Sequence, residues 1–289
     1  MLGALASEWP GFGRAVDLLA TVALRELQVE VCRRNKFVLD LIGHVLGLIP
    51  VVITAWAAAG GGVARVGPGG VSWLTFVVLG YVAFAAFGVA SPVISFTGMA
   101  FALHEEQQTG TLERNLLAPA PRLLVVLGSG VYYTALFLYH AVSLLVIAFL
   151  FLPLDVSWTA SAFLTAALVL FLIVLLSVGF GVLSAGVLLA LRDESVVLIL
   201  IHRPMLVMSG AYFLLPTVPE PFRTLAWLNP IAYAVDAFRG SLTGATVLLP
   251  LGQEVAVLAV ATAGILLAGF YLFERLMIGW LRSGSLGTY

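Results

Sequence analysis

Six long apolar runs are the feature that most limits how this chain can fold. They cover residues 38–59, 71–103, 123–152, 160–191, 195–215 and 251–273. Each run is long enough for a transmembrane helix, which needs about 20 apolar residues. Because lipid offers the backbone no hydrogen-bonding partner, only helices or a closed barrel cross a bilayer, and unbroken runs favour helices. The sequence therefore predicts an all-α integral membrane protein with six transmembrane helices.

The amino-acid composition agrees with a membrane environment. Hydrophobic residues account for 61% of the 289 residues and charged residues for 10%, whereas a soluble domain carries about 25% charged residues. The net charge of −1 gives no reason to expect nucleic acid as a partner. The single cysteine excludes a disulfide within the chain, and the four scattered histidines form no metal-binding motif.

The positions of lysine and arginine predict how the helices are oriented. With both termini in the cytoplasm, ten of the 14 basic residues lie on the cytoplasmic side, three lie outside and Arg203 lies within a run. Cytoplasmic loops of membrane proteins carry an excess of lysine and arginine. We therefore predict a multi-pass protein with both termini in the cytoplasm.

The segment 14–36 precedes the first apolar run and has a pattern of its own. Polar residues recur every three or four positions, apolar residues lie on another side, and the segment ends in a basic cluster. This pattern predicts an amphipathic helix along the cytoplasmic interface. A plain anchor for anionic lipids fits the same pattern. The candidate contact residues of this interface helix are Arg25, Glu26, Arg33 and Arg34.

The segment 104–122 follows the second run, and its charged residues end the apolar sequence. Glu105 and Glu106 place the end of a membrane helix at the water boundary, and Gly110 allows a sharp break. Glu113 then lies in the first turn of a new short helix, where the helix dipole favours an acid. The segment therefore predicts a short helix at the cytoplasmic mouth.

The segment between the fifth and sixth runs is too polar for another span. Arg223, Asp236 and Arg239 interrupt it, and Asn229-Pro230 is typical of a helix start with proline at the first helical position. The pattern favours short helices at the outer face. An ordinary amphipathic outer loop is the alternative.

Two motifs in these segments resemble one known family. Thr109-Gly-Thr-Leu-Glu113, followed by Leu116-Leu117 and Pro119, resembles a signature of ABC-2 type permeases, with one extra residue before Leu116. Ser209-Gly210 and the later stretch Leu228–Arg239 are similar to a second pattern of that family. The order of elements is similar along essentially the whole chain, which would make residues 1–289 a single ABC-2 type transmembrane domain.

The resemblance implies a role for each motif. Segment 104–122 would carry the coupling helix, which in this family docks into a groove of a separate ABC ATPase. The segment 216–250 would form short re-entrant helices on the outer face. The implied ATPase-contact residues are Glu106, Thr109, Gly110, Thr111, Leu112, Glu113, Arg114 and Leu116. The implied outer motif consists of Asn229, Pro230, Tyr233, Asp236 and Arg239.

The expected partners follow from two things, the absence of an ATP-binding motif and the resemblance to the family. The only lysine, Lys36, follows Arg-Arg-Asn and not a glycine-rich turn, so the sequence has no P-loop. We expect no enzymatic activity and no cofactor in this chain. The resemblance implies two ATPase subunits that bind ATP and Mg, a second permease copy (as a homodimer or a sister subunit), membrane lipids and a prokaryotic-type cytoplasmic (inner) membrane.

Polar and aromatic residues within the runs indicate a possible substrate path. A cation inside a bilayer costs roughly 2.5–3.5 kcal/mol unless it is paired or hydrated. Arg203 therefore either faces a cleft that attracts an anionic head group, or reaches the boundary and pairs with a nearby acid. The possible path residues are His202, Arg203, Phe87 and Phe96.

The expected function is export of a hydrophobic or amphiphilic substrate, such as a drug, lipid or glycolipid. A polysaccharide or lipid-linked glycan exporter is one alternative. An ion-driven secondary transporter is another, but it requires acids deep within spans, and Asp40 and Glu254 lie near the ends of theirs. A membrane-embedded enzyme would require a cluster of histidine and acidic residues, which the sequence does not show.

Overall fold

A computed structural model describes residues 12–31, 34–58, 68–85, 99, 103, 104, 106, 109, 110, 122–191, 205 and 208–282. Within these ranges the chain forms helices, turns and loops, with no β-strand. This confirms the all-α class that the apolar runs predict. The helices are α1 Phe12–Val31, α2 Arg34–Ala58, α3 Trp73–Ala85, α4 Arg122–Phe151, α5 Ala160–Leu191, α6 Phe222–Leu228, α7 Pro230–Thr243 and α8 Leu251–Arg282. The chain also forms two short 3-10 turns, Pro68–Gly70 and Leu215–Thr217.

Three of these helices contain segments that are long and apolar enough to cross a membrane: Gly130–Phe151, Ala160–Leu188 and Leu251–Gly279. Val45–Ala57 and Trp73–Phe84 are shorter apolar helical segments. Large apolar side chains are exposed along the sides of α2, α4, α5 and α8, where lipid would replace water. The chain is therefore a multi-pass membrane protein, and the total of six spans stays a prediction.

The helix bounds differ from the predicted ones in three places. The chain from Met208 to Leu214 is turn and loop, although the fifth predicted run extends to residue 215. Gly210 at a φ of 67° is in the left-handed region, which does not continue a helix. The last helix continues to Arg282, past the predicted end at 273, and α1 ends at Val31, so that Arg34 begins α2.

The helices α5 and α8 pack parallel to each other in direct backbone contact. A Cβ atom added to Gly269 would lie 2.6 Å from the carbonyl oxygen of Gly179, and one added to Gly186 would lie 3.1 Å from the Cα of Phe273. Small residues allow membrane helices to approach this closely, which increases the dispersion contact between them. Glycine is therefore required where these two helices cross.

The bundle has two ends that matter for function. The α1 end carries α1, Glu106 and the start of α4, and a Cβ atom added to Gly128 of α4 would lie 2.5 Å from the Cβ of Val22 in α1. The α7 end carries α6, α7 and the starts of α5 and α8. The main hydrophobic core extends from the middle of the bundle to the α7 end, and a smaller cluster around Met99 and Phe273 lies towards the α1 end.

The loop between α4 and α5 ties three elements together at the α7 end. Oδ2 of Asp155 accepts a hydrogen bond from the backbone N–H of Ser72 at 2.9 Å, just before α3. The backbone N–H of Asp155 donates to Oγ1 of Thr75 at 2.9 Å. The backbone N–H of Ser157 donates to the carbonyl of Leu242, near the end of α7, at 2.7 Å. The loop thus fixes α3 and α7 relative to the α4–α5 hairpin.

Candidate functional site

An ion pair at the α1 end joins the predicted interface helix to the predicted coupling segment. Nη2 of Arg25 donates to Oε1 of Glu106 over 2.7 Å. The arginine side chain is 45% exposed and the glutamate side chain 16% exposed. A partly exposed pair adds little to stability. The pair matters because it holds α1 against the chain around Glu106.

The chain around Glu106 changes direction as the sequence predicts. Leu103, His104 and Glu106 are helical, whereas Thr109 and Gly110 form a turn. Oγ1 of Thr109 donates to the carbonyl oxygen of Glu106 at 3.2 Å, and Gly110 has a φ of 69°, which favours glycine. The glycine therefore supplies the break that ends the helical segment.

This segment is anchored in the small core at the α1 end. Leu103 is buried in a cluster with Met99, Val182, Leu188 and Phe273, which come from α5 and α8 as well as from the segment itself. A displacement of Glu106 therefore acts on α1 through the ion pair and on α5 and α8 through Leu103. The chain around Glu106 is therefore in contact with three helices, α1, α5 and α8.

At the α7 end, Asn229 and Pro230 form the helix start that the sequence predicts. Oδ1 of Asn229 accepts from the backbone N–H of Ile231 at 3.1 Å, which satisfies one of the free amides of the first turn. Nδ2 of the same side chain donates to the carbonyl of Met205 at 2.7 Å. The hydroxyl of Tyr233 donates to the carbonyl of Trp227 at 2.9 Å. These bonds fix the corner between α6 and α7.

The helix α7 is an internal element. Every residue from Ile231 to Leu242 is buried, and the helix packs against α3, α5 and α8. The residues Ile231–Leu242 therefore differ from an amphipathic surface helix, which keeps one face in solvent.

Arg239, one of the three basic residues that the charge count places outside, is a buried cation. It is 4% exposed, and its guanidinium carbon lies 3.7 Å above the ring of Phe76. Nε donates to the carbonyl of Phe76 at 2.9 Å, and Nη2 donates to the carbonyls of Gly210, at 2.9 Å, and Ala211. The planar guanidinium satisfies several acceptors at once, which a lysine cannot do. Arg239 thus joins α7 to α3 and to the loop from Met208 to Leu214, which lies within the fifth predicted run.

Two acids, Asp236 of α7 and Glu254 of α8, lie where these two helices meet. Oδ2 of Asp236 accepts from the backbone N–H groups of Val247 and Leu248 at 2.7 and 2.8 Å. Oε1 of Glu254, in the first turn of α8, accepts from the N–H of Leu249 at 3.0 Å. Asp236 is 2% exposed and Glu254 is fully buried. Three consecutive amides therefore hold two carboxyl groups at the junction of α7 and α8.

A family model described as ABC-2 type transporter matches residues 41–243. The chain belongs to the ABC-2 type transporter family. The search of curated proteins found no match to this chain. The matched residues extend from α2 to the end of α7, so they include both motifs described above.

Membership gives this ABC-2 permease its general role. It is a multi-pass membrane protein and a transport subunit, and the family implies association with an ABC ATPase. Among the residues that the structure describes, no group of three or more His, Cys, Asp or Glu side chains could hold a metal ion.

Part of the predicted site of the permease lies outside the described residues. The structure places Glu106, Thr109, Gly110, Arg25 and the whole outer motif, and it brings Arg25 and Glu106 together. The residues outside the description are Arg33, Phe87, Phe96, Thr111, Leu112, Glu113, Arg114, Leu116, His202 and Arg203. The side chains of Glu26 and Arg34 are likewise not described.

Glu254 is the residue that sequence reasoning missed in this permease. We interpreted it only as an acid near the end of a span, and the structure shows it fully buried and bonded to Leu249. Its position offered a signal, because Glu254 follows Pro250 closely and lies in the first turn of α8, directly before a long apolar stretch. An acid there is placed to bond free backbone amides before or within the first turn.

Proposed function

We propose that this ABC-2 permease is the membrane subunit of an ATP-driven exporter for a hydrophobic or amphiphilic substrate, such as a drug, lipid or glycolipid. A separate ATPase would bind ATP and Mg and would be present in two copies. The second permease would be another copy of this chain or a sister subunit. The ion pair between Arg25 and Glu106 is the observation that carries the proposal.

The ion pair supports a route by which ATPase movement reaches the membrane domain. ATP binding favours one of two arrangements of a transporter, and a contact at the cytoplasmic face has to transmit that difference in free energy. In our proposal the ATPase displaces the segment 104–122. Because Glu106 bonds to α1 and neighbouring Leu103 packs against α5 and α8, the displacement moves several elements together.

The α7 end supports an outer gate in the same proposal. Arg239 joins α7 to α3, and α3 precedes the coupling segment in the chain. Movement of the coupling segment would be carried along this part of the chain towards α7, which closes the opposite end of the bundle. Release of substrate would then need α7 and the loop at Gly210 to move as one unit, because Arg239 bonds both.

The chemistry of the described interior supports an apolar or amphiphilic substrate. The helix α5, at the centre of the bundle, contains no charged residue along Ala160–Leu191. A small cavity between α4 and α5 is lined by Met99, Phe137, Val174 and Val178, with the hydroxyl-bearing Tyr133, Thr134 and Ser177. The described interior is therefore apolar with a few hydroxyl groups.

The test is reconstitution of the full permease with its partner ABC ATPase, in proteoliposomes. We expect ATP hydrolysis to increase when drugs, phospholipids or glycolipids are added, and the substrate to cross the bilayer with ATP. Stimulation by a glycan chain alone would favour the glycan exporter. Transport driven by an ion gradient without ATP would overturn the proposal, as would failure to bind the ATPase.

A further inference from the structure

The carboxyl groups of Asp236 and Glu254 are buried together with unused hydrogen-bonding capacity. Each has one oxygen bonded to backbone N–H groups of the stretch Val247–Leu249. The remaining oxygens, Oδ1 of Asp236 and Oε2 of Glu254, are buried and accept no hydrogen bond from any described donor. Burying a charged oxygen without a partner is costly, so each of these two oxygens would be stabilised by a further donor.

The surrounding charges can balance only one ionised carboxylate. Arg239 and Tyr233 on α7 are the titratable groups facing the pair. Among the other packed helices, α5 contributes no titratable group, α3 contributes Tyr81, and α6 contributes the exposed Arg223. The described hydrogen bonds of Arg239 all go to carbonyl oxygens. Among the residues that the structure describes, one positive charge therefore faces two acids, and two ionised carboxylates in one buried site repel each other strongly.

The two carboxyl groups are neighbours because they bond to adjacent amides, Asp236 to the N–H of Leu248 and Glu254 to the N–H of Leu249. Two ionised carboxylates have only acceptors, and a carboxyl group can donate a hydrogen bond only when it is protonated. We propose that Asp236 and Glu254 form a proton-binding site, in which one proton is held between Oδ1 of Asp236 and Oε2 of Glu254. The site then carries one negative charge, which balances Arg239.

A metal ion is a poorer occupant of this position. Calcium takes six to eight oxygen ligands and magnesium an octahedral set, whereas the pair offers two oxygens that are not already bonded. A proton needs only these two. A cation at the site becomes an alternative outcome of the experiment.

The shared proton connects α7 to the first turn of α8, so its loss has a structural consequence. Removing it leaves two negative charges beside one arginine, in a place where neither can reach water. The junction between α7 and α8 would then loosen as the pH rises. On this inference, the shared proton keeps α7 packed against the first turn of α8.

Infrared spectroscopy of the full chain in lipid nanodiscs tests the protonation directly. The carbonyl stretch of a protonated carboxyl group differs from that of a carboxylate and shifts in deuterated water. We expect such a band at neutral pH in the wild type, its loss in Glu254→Gln and in Asp236→Asn, and its retention in Glu274→Gln, a control on the same helix. A band that survives unchanged in both folded Glu254→Gln and Asp236→Asn would overturn the proposal.

Thermal unfolding of the wild type, with Glu254→Gln as the comparison, provides a second measurement. Because the folded protein retains a proton that an unfolded carboxyl group releases above about pH 4–5, raising the pH from 7 to 10 should lower the unfolding midpoint. The expected decrease is roughly 5 °C, and Glu254→Gln should reduce it. A midpoint that is independent of pH but rises with sodium or calcium concentration would overturn the proton site in favour of a cation site. Neither experiment requires an ATPase or a substrate, so the result is independent of the proposed transport function.

Discussion

Arg25 and Glu106 are 81 residues apart in the chain, yet Nη2 of the arginine lies 2.7 Å from Oε1 of the glutamate. The arginine belongs to the long helix α1, and the glutamate lies beside the glycine turn at Gly110. Two segments that sequence patterns identified for different reasons therefore meet at one point. If the permease works as proposed, this pair should matter more for coupling than for folding.

We predict that Arg25→Ala and Glu106→Gln each lower substrate-stimulated ATP hydrolysis several-fold while changing stability little. The pair is partly exposed, so its loss should cost at most about 1 kcal/mol of unfolding free energy. ATPase assays in proteoliposomes and thermal unfolding in detergent measure the two effects. Arg223→Ala is the matched control, because Arg223 forms a pair of the same length with Glu220 at the α7 end. Failure of the exchanged pair, Arg25→Glu with Glu106→Arg, to recover any coupling would contradict the role of the ion pair.

Arg239 should be required for the folded state. In Arg239→Ala the carbonyls of Gly210 and Ala211 lose their arginine donor, and each buried acceptor left without one costs roughly 1–3 kcal/mol. We expect a loss of at least about 2 kcal/mol, seen as a lower unfolding midpoint and a smaller monodisperse fraction on size-exclusion chromatography. Arg239→Lys should recover only part of it, since one ammonium cannot replace the planar fork. A fully stable Arg239→Ala would show that these bonds are dispensable.

The backbone contact between α5 and α8 should not tolerate a single methyl group at its centre. In Gly269→Ala the new Cβ would meet the carbonyl oxygen of Gly179 at 2.6 Å, so the helices must separate. Overpacking of this kind costs about 1–3 kcal/mol. Gly264→Ala is the control on the same helix, because its Cβ would meet nothing within 4 Å. Thermal unfolding of the two variants should differ by several degrees, and equal midpoints would count against the close contact.

Asn229 should act through two separable bonds. Asn229→Ala removes both the cap on Ile231 and the bond to Met205, and loss of a helix cap alone costs about 0.5–2 kcal/mol. Asn229→Ser keeps an acceptor for the cap but is too short to reach Met205. We therefore expect the unfolding midpoint of Asn229→Ser to fall between wild type and Asn229→Ala. If serine is no better than alanine, the cap contributes nothing measurable.

Local rules predicted the features that depend on neighbouring residues. An apolar run predicts a helix because the backbone in lipid has to bond to itself, and Asn229-Pro230 predicts a helix start because the side chain and the ring both suit that position. The turn at Gly110 is a similar case. These features need no knowledge of distant parts of the chain.

The features that were not predicted depend on distant partners. The count of charges did not reveal that Arg239 is buried, because its acceptor, the carbonyl of Phe76, lies 163 residues earlier. Glu254 was treated as an isolated acid because the sequence does not place it against Asp236. The end of the fifth run was set too late because every residue from Ala211 to Leu215 is apolar, although Gly210 is left-handed there.

The glycine contact between α5 and α8 has a mechanical consequence for the whole transporter. Backbone atoms in direct contact leave no layer of side chains that could slide or reorient, so the pair has few low-energy deformations of its own. We expect α5 and α8 to move as one rigid body during the transport cycle. The permease then has fewer independently moving parts than it has helices, and the surfaces along which it changes shape must lie elsewhere in the bundle.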